Sequence, residues 1–422
     1  MKYSVITFGC RVNQADSLGF EEELRAAGAV AVAPDRADLI VVNTCSVTAT
    51  ADQGARQTIR RVARDNPGAR IVVTGCYATR RPDEVGELPN VVRVIQNGDK
   101  PRLIPILRAE PILTTTAERF GDGDGSCGAT IEPGVAGRTA FTLRVQTGCA
   151  EPCSYCIIPA TRGAPRSVAP EAVVAEVDRV TAAGFKEVAL TGVHLGSYGR
   201  DLTPRSSLFE LLRALDRRHD VLFRISSLEP MDCTRDIVDL VAASPRFAPH
   251  FHLPLQHASN RVLARMRRPY TIEHYAALAD DIRARMPAAS IGSDLIVGFP
   301  GETDDDFEQL VSYLERSPLT HVHVFPYSDR PGTLASAMGD RAPGAVIRDR
   351  ARRLREIGQR LTARFRESQI GTVHRGLTLE DGSLVVTGNY LKVKIPPGRP
   401  RNEWLDVKIV AARDELLGEP VQ

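Results

Sequence analysis

A chain of 422 residues is long enough for two or three domains with a large core. Its composition, 43% apolar and 25% charged, is ordinary for a soluble protein, and no stretch approaches the ~18 uninterrupted apolar residues of a membrane helix. A formal net charge of +2 is too small to prove a nucleic-acid partner, and eight cysteines in a chain this long do not make the disulfide framework of a short secreted domain. The first ten residues hold too short an apolar run for a secretory signal and lack a small-residue cleavage site. A cytoplasmic protein is expected, in which clustered cysteines point to metal or redox chemistry.

Residues 1–108 alternate strand and helix signals. Strands are predicted over 3–7, 38–43, 70–74 and 91–95. Helices are predicted over 14–27, with Leu18, Leu24 and Ala27 on its apolar side, and over 47–64. The runs Asp38-Leu39-Ile40-Val41-Val42-Asn43 and Arg70-Ile71-Val72-Val73-Thr74 suit buried parallel strands. An open parallel α/β sheet follows, and Cys10, Cys45 and Cys76 each stand just after one of its strands. Loops at the carboxyl ends of such strands share one edge, where ligands bind. The three thiols are therefore expected to meet in a metal site, an iron–sulfur cluster by thiolate preference. Zinc is the rival, but it calls for a fourth ligand, and no histidine precedes His194. The same absence argues against a cobalamin-type Rossmann domain with a histidine ligand.

Residues 111–137, with Gly121-Asp122-Gly123-Asp124-Gly125-Ser126, read as a flexible linker. No specific role is expected for Cys127 within it. From 140 the alternation resumes, with strands over 140–146, 186–191, 221–226, 250–255, 290–297 and 320–326. Helices fall between them over 170–183, 207–217, 234–243, 271–285 and 303–316. Six strands with crossover helices predict a partial (β/α)6, TIM-like barrel whose chemistry lies at the carboxyl ends of its strands. Polar groups at those ends include Thr191, His194, Ser226, Ser227, Glu229, Gln256, His257 and Asp294. The acidic run Asp304-Asp305-Asp306 after Thr303 reads as helix capping rather than catalysis. Cys233 is expected to be a buried structural thiol.

Nine arginines between 341 and 366 mark a basic helix over 343–370, and Arg261, Arg265, Arg267 and Arg268 form a second cluster. A solvated helix face and a surface for phosphates both fit. After Gly371, short strands and an Asp381-Gly382 turn predict a small β-barrel over 371–412, a kind of module that often binds RNA.

The first barrel strand runs into Cys149-Ala150-Glu151-Pro152-Cys153-Ser154-Tyr155-Cys156. Three thiols on one loop suit a cubane cluster whose fourth iron is left to an external ligand. This spacing, with aromatic Tyr155 before the third cysteine, resembles the signature of radical S-adenosylmethionine (radical SAM) enzymes. Together with Phe8-Gly9-Cys10-Arg11-Val12-Asn13, Val42-Asn43-Thr44-Cys45, Thr74-Gly75-Cys76 and Thr191-Gly192-Val193-His194-Leu195-Gly196, the whole chain resembles the methylthiotransferases. The resemblance implies an N-terminal methylthiotransferase domain over 1–110, a radical SAM core over 138–368 and a TRAM-like domain over 369–422. It implies two [4Fe-4S] clusters: an auxiliary one on Cys10, Cys45 and Cys76, and a SAM-binding one on Cys149, Cys153 and Cys156. SAM contacts are expected from Tyr155, Gly192, Ser227, Glu229 and Gln256.

The implied reaction uses SAM twice, once to methylate sulfur at the auxiliary cluster and once for the radical that removes hydrogen from the acceptor carbon. The start motif and Gly192–Gly199 look most like the subgroup acting on C2 of N6-threonylcarbamoyladenosine at tRNA position 37. Isopentenyladenosine in tRNA and an aspartate of a ribosomal protein are the alternative acceptors, although the latter subgroup typically has Pro-Lys-Asn where this chain has Arg11-Val12-Asn13. A non-catalytic Fe–S RNA-binding or sensor protein is the alternative from another class. Implied partners are tRNA and a low-potential electron donor such as flavodoxin or ferredoxin, with no membrane.

Overall fold

The computed structural model describes residues 1–110, 112, 133, 139–218, 221–379 and 381–421. Cys127 and nearly all of the expected linker lie outside the described residues. Five parallel strands open the chain: β1 (Lys2–Thr7), β2 (Val30–Ala31), β3 (Leu39–Thr44), β4 (Arg70–Gly75) and β5 (Val91–Ile95), in the order β2-β1-β3-β4-β5. The centre of the sheet is β3, buried along its whole length. Ile40 and Val42 pack with Ala55, Ile59 and Val62 of the Ala49–Asp65 helix. Leu39 and Val41 pack on the other face with Phe20 and Leu24 of the Arg11–Ala26 helix. Each fully buried aliphatic side chain contributes about 1.5–3 kcal/mol, which explains why an uninterrupted apolar run becomes the central strand.

The first helix departs from expectation. It begins at Arg11, and its buried face carries Asn13, Asp16 and Ser17 beside Val12, Phe20 and Leu24, while Leu18 is only half-buried. The polar groups are buried because they meet cations from elsewhere in the chain. Asp16 pairs with Lys100 at 2.6 Å, with Arg162 at 3.7 Å and with Arg144. Arg162 also donates to Asn13 Oδ1 at 2.6 Å.

The central region holds β6 (Ala140–Arg144), β7 (Gln146–Thr147), β8 (Arg166–Ser167), β9 (Glu187–Thr191), β10 (Leu222–Ile225), β11 (His250–His252), β12 (Ser290–Val297) and β13 (His321–Pro326). Two parallel three-stranded sheets, β10-β9-β6 and β11-β12-β13, are joined through a parallel bridge between Phe223 and Phe247. The result is the expected six-stranded partial barrel. Its fourth strand is shorter than predicted. After His252 the chain leaves the ladder, and Gln256, at φ +67°, rejoins it only through a bridge to Leu295. Helices cover the outside, and Thr303 caps the Asp304–Arg316 helix in a capping box with Asp306, so that acidic run is structural.

The Gly344–Ser368 helix packs back on the barrel through Ala351, Leu354, Ile357 and Leu361. A closed five-stranded barrel follows: β14 (Val373–Leu379), β15 (Leu384–Thr387), β16 (Lys392–Lys394), β17 (Trp404–Ala412) and β18 (Leu416–Pro420), ordered β14-β15-β16-β18-β17. The strand signals stop short of 412, although the resemblance carries the domain to 422, so β18 is not predicted. Its Leu-Leu-Gly-Glu-Pro sequence carries a glycine and a proline where a strand signal wants branched residues, yet it closes the barrel between β16 and β17.

Candidate active site at the barrel mouth

Cys10, Cys45 and Cys76 follow β1, β3 and β4, which are adjacent in the sheet. Sheet order alone thus gathers three thiols that are distant in sequence. Gly9 and Gly75 precede two of them at φ +93° and +98°. A β-carbon on Gly9 would lie 2.6 Å from Cys45 Cβ, and one on Gly75 would lie 2.2 Å from the Thr44 carbonyl oxygen. Only glycine fits these turns. Asn97 Nδ2 lies 3.7 Å from Cys76 Sγ and donates to the Thr161 carbonyl at 2.8 Å.

The second triad opens on the same device. Gly148, at φ +77°, leaves no room for a β-carbon, which would sit 2.0 Å from the Ala164 carbonyl oxygen. Gln146 ties the loop to the end of β9. Its amide donates to the Thr147 and Gly148 carbonyls, and its oxygen accepts from the backbone N–H groups of Val193 and His194 at 3.0 and 2.9 Å. The Glu151 N–H donates to Cys149 Sγ at 3.4 Å, and Arg268 Nη1 donates to Cys153 Sγ at 3.1 Å. Ser154 is anchored by its N–H to the Met266 carbonyl and by its hydroxyl to the Arg265 carbonyl.

The residues fit iron–sulfur clusters better than single ions. A zinc ion would hold thiolates roughly 3.8 Å apart, given Zn–S bonds of about 2.3 Å. Among the described residues neither cysteine triad has all three sulfurs within 4.8 Å of one another. In a cluster each thiolate holds its own iron, and an all-thiol donor set suits one. Burial pushes the Cys156 thiol up to about 12 and, with the neighbouring Cys10 and Cys76 charges adding to it, Cys45 up to about 11. Thiolates at these places call for a bound cation. Cys233 is buried in the main core, as expected.

The expected SAM contacts have varied surroundings. Tyr155 packs edge-on to Phe299 in a small apolar cluster behind the loop, with ring centroids 6.5 Å apart. Gly192 faces Leu195 and Gln146, which a β-carbon would meet at 2.9 and 3.0 Å. Ser227 is exposed and Gln256 half-buried. Glu229 pairs with Arg268, so one guanidinium bridges an expected SAM contact and a thiol of the loop. His194 is held by Asp232 at 2.9 Å, which also binds Arg200 at 2.9 Å. His257 is wholly buried; its Nδ1 accepts from the Ser259 N–H at 3.0 Å, and its Nε2 stands 3.7 Å from Glu302.

Buried charge seats the carboxyl edge of the first sheet against the mouth of the barrel. Besides the Asp16 group, Asp52 binds Arg80 and, at 2.7 Å, Arg330 from beyond β13, while Arg330 also donates to Ser46 Oγ at 2.8 Å. Arg11, next to Cys10, reaches Ser226 Oγ at the end of β10. Sequence reasoning missed Asn13, Asp16, Arg162, Gln146, Arg268 and Arg330. Each looks like an ordinary polar residue until its partner, up to 284 residues away in the case of Arg330 and Ser46, is known.

The basic helix is neutralised in part. Arg350 is buried on Glu302 and Asp304; Arg352, Arg353 and Arg360 pair with Asp349 and Glu356, Glu308, and Glu315. Arg350, Arg353 and Arg360 thus serve the helix's packing against the Asp304–Arg316 helix and its N-terminal turn. Arg364 and Arg366 reach only backbone carbonyls among the described residues, so a solvated face and a phosphate surface both remain compatible with it.

A three-cysteine loop at the mouth of a partial parallel barrel defines a radical SAM protein. The Radical SAM superfamily model matches residues 143–314, and the family described as Uncharacterized protein family UPF0004 matches residues 2–96. Threonylcarbamoyladenosine tRNA methylthiotransferase MtaB of Aquifex aeolicus is 38% identical over 401 residues, covering 93% of this chain and 96% of that one. The protein of the same name from Bacillus subtilis is 33% identical over 97% of both chains. A tRNA-2-methylthio-N(6)-dimethylallyladenosine synthase of Corynebacterium efficiens is 34% identical, covering 87% of this chain and 73% of that one. The chain belongs to the radical SAM methylthiotransferase family, and the family brings with it SAM and a [4Fe-4S] cluster. Among solved structures, the radical SAM methyltransferase TsrM of Kitasatospora setae, with cobalamin and a [4Fe-4S] cluster bound, superposes with a TM-score of 0.56 at 17% identity over 79% of this chain and 74% of that one. That likeness is one of fold alone. No helix among the described residues is long and apolar enough to cross a membrane.

Proposed function

We propose that the protein methylthiolates C2 of N6-threonylcarbamoyladenosine at position 37 of tRNA, beside the anticodon. The observation that carries this reading is the seating of two cysteine triads at one barrel mouth, in a chain matched nearly end to end by relatives of that name. In this reading Cys149, Cys153 and Cys156 hold the SAM-binding cluster, and Cys10, Cys45 and Cys76 hold an auxiliary [4Fe-4S] cluster. When bound, these groups and SAM supply a hydrogen-abstracting radical and an activated sulfur.

The chain's own residues orient and enclose them. Gln146 fixes the loop against the end of β9, and Arg268 donates to Cys153 and pairs with Glu229, which would contact SAM. Tyr155, Gly192, Ser227 and Gln256 complete the proposed SAM surroundings. The docked first sheet closes the mouth from above and shields the reaction from water. The electron donor is proposed to be of flavodoxin or ferredoxin type, and the compartment the cytoplasm. Nucleoside mass spectrometry of tRNA from a deletion strain tests the reading: the methylthio group should vanish from threonylcarbamoyladenosine. Its retention there, with loss from dimethylallyladenosine, would assign the other acceptor.

A further inference from the structure

Arg11, at the ends of the barrel strands, differs from Arg224, Arg162 and Arg268. Arg224 is fully buried and is matched by Glu187 at 2.9 and 3.3 Å. Arg162 meets Asp16, and Arg268 meets Glu229. Arg11 has no carboxylate partner among the described residues. Its guanidinium touches two neutral hydroxyls, Ser226 Oγ and Tyr390 OH, each at a long 3.4 Å, and lies 5.8 Å from the centre of the Tyr390 ring. It is half-buried, beside Cys10, and reaches Ser226 just after the end of β10.

Its surroundings suit an anion. Tyr390 comes from the small C-terminal barrel and is 45% exposed. Its ring stacks near His250 at 4.9 Å, and Arg224 lies over it at 4.7 Å. His250 stacks in turn on His321 at 6.2 Å, and His252, His321 and His323 place ring nitrogens within 4.8 Å of one another. Burial first, then the charges of Arg224 and its neighbours including Arg11, hold His250 well below the ordinary imidazole range. Burial and the adjacent histidines hold His321 at about 4. Arg11 and Arg224 both lie against the Tyr390 ring, and of the two only Arg224 has a carboxylate partner among the described residues, so this wall offers a guanidinium to a negative group.

We propose that Arg11, flanked by Ser226 and Tyr390, is the binding site for a carboxylate on the acceptor nucleoside, and so sets the choice of acceptor. The inference rests on the acceptor proposed above. A threonylcarbamoyl group carries a free carboxylate, whereas a dimethylallyl group is apolar and would leave the guanidinium partly desolvated and unmatched. Guanidinium and carboxylate meet as a paired fork, which fixes orientation as well as adding affinity. The site lies one residue from Cys10, so a group held there by its far end is kept beside the proposed auxiliary cluster.

The test uses reconstituted full-length enzyme and three anticodon stem–loop RNAs of one sequence. They carry threonylcarbamoyladenosine, its carboxamide analogue or dimethylallyladenosine. The measured quantity is the ratio of kcat/KM for the carboxylate RNA over the carboxamide RNA within one enzyme preparation, which cancels differences in cluster loading. The wild type should favour the carboxylate by roughly 10- to 100-fold, the range of a charge-assisted hydrogen bond, chiefly through KM. Arg11→Gln should bring the ratio close to one, and Arg11→Lys, which keeps the charge but loses the fork, should retain only part of it. A ratio unchanged in Arg11→Gln overturns this inference and leaves the proposed acceptor standing. A wild type that modifies only the dimethylallyl RNA overturns both.

Discussion

Cys149, Cys153 and Cys156 come from one loop of eight residues, whereas Cys10, Cys45 and Cys76 come from three strand ends spread over the first 76 residues. The loop is positioned by neighbours close at hand, Gln146 and the Glu151 N–H, and by Arg268 below it. The other triad exists only when β1, β3 and β4 lie side by side, and it faces the barrel only while Asp16 and Asp52 hold the sheet in place. The first site should therefore survive damage to the sheet, and the second should be sensitive to damage far from any cysteine.

The largest expected effect separates the two directly. Cys153→Ala should abolish both SAM cleavage and methylthio product, read as 5′-deoxyadenosine and as modified nucleoside. Cys45→Ala should abolish the product while 5′-deoxyadenosine continues to form, with about half the iron per chain retained. Equal loss of both clusters in either variant would contradict two independent sites.

Gly75→Ala should come next. The residue sits at φ +98°, and its β-carbon would meet the backbone of Thr44 at 2.2 Å, so β3 and β4 must move apart at the end that presents two of the cysteines. A cost of about 3 kcal/mol is expected for an alanine forced into left-handed backbone against a neighbouring strand. Denaturant unfolding should register it, together with loss of the N-terminal cluster and not of the loop cluster. Gly148→Ala should give the reverse pattern.

Asp16→Asn tests the docking. Removing one partner from a buried ion cluster costs about 3–5 kcal/mol, here chiefly by leaving Lys100 and Arg162 unmatched. Product should fall while SAM cleavage without RNA persists. Burial alone would raise the Asp16 carboxyl, but the charges of Lys100, Arg144 and Arg162 outweigh it and hold the group below its ordinary range. A depressed carboxyl stabilises the fold above its unfolded value of about 4, and that contribution fades as pH falls through the lower folded value. The wild type should therefore lose stability on acidification over that window, and Asp16→Asn should lose less, as urea unfolding at several pH values would show.

The difference between the triads also explains what could be read in advance. Cys149-Ala150-Glu151-Pro152-Cys153-Ser154-Tyr155-Cys156 carries its meaning in its own spacing. Cys10, Cys45 and Cys76 became legible through the apolar runs before them, because such runs become parallel strands with a shared carboxyl edge. The docking residues were not legible. Asp16 lies on a helix whose apolar side looked like its buried side, and only the cations from residues 100, 144 and 162 reverse that reading. Arg11 was visible as part of a motif, but its lack of a carboxylate partner is a property of the folded chain. The arginine-rich helix left two readings open, since two of its acidic partners stand some 45 residues away on another helix.

The smallest expected effect concerns how each triad is tuned. Cys153 receives a hydrogen bond from the cationic Arg268, whereas the amide of Asn97 stands 3.7 Å from Cys76. Hydrogen bonds to cluster sulfurs, and positive charge beside them, favour the reduced form, which carries the extra electron. Arg268→Gln should therefore move the loop cluster to a more negative midpoint potential by roughly 50 mV, equivalent to ~1 kcal/mol of differential hydrogen bonding for one electron. A redox titration followed by electron paramagnetic resonance can resolve the two clusters. A shift confined to the loop cluster would mean that each triad has its own electrostatic surroundings, although both open on one mouth. A matching shift in the N-terminal cluster would mean that the lumen acts on both as one field, and Arg11 would then be the next residue to vary.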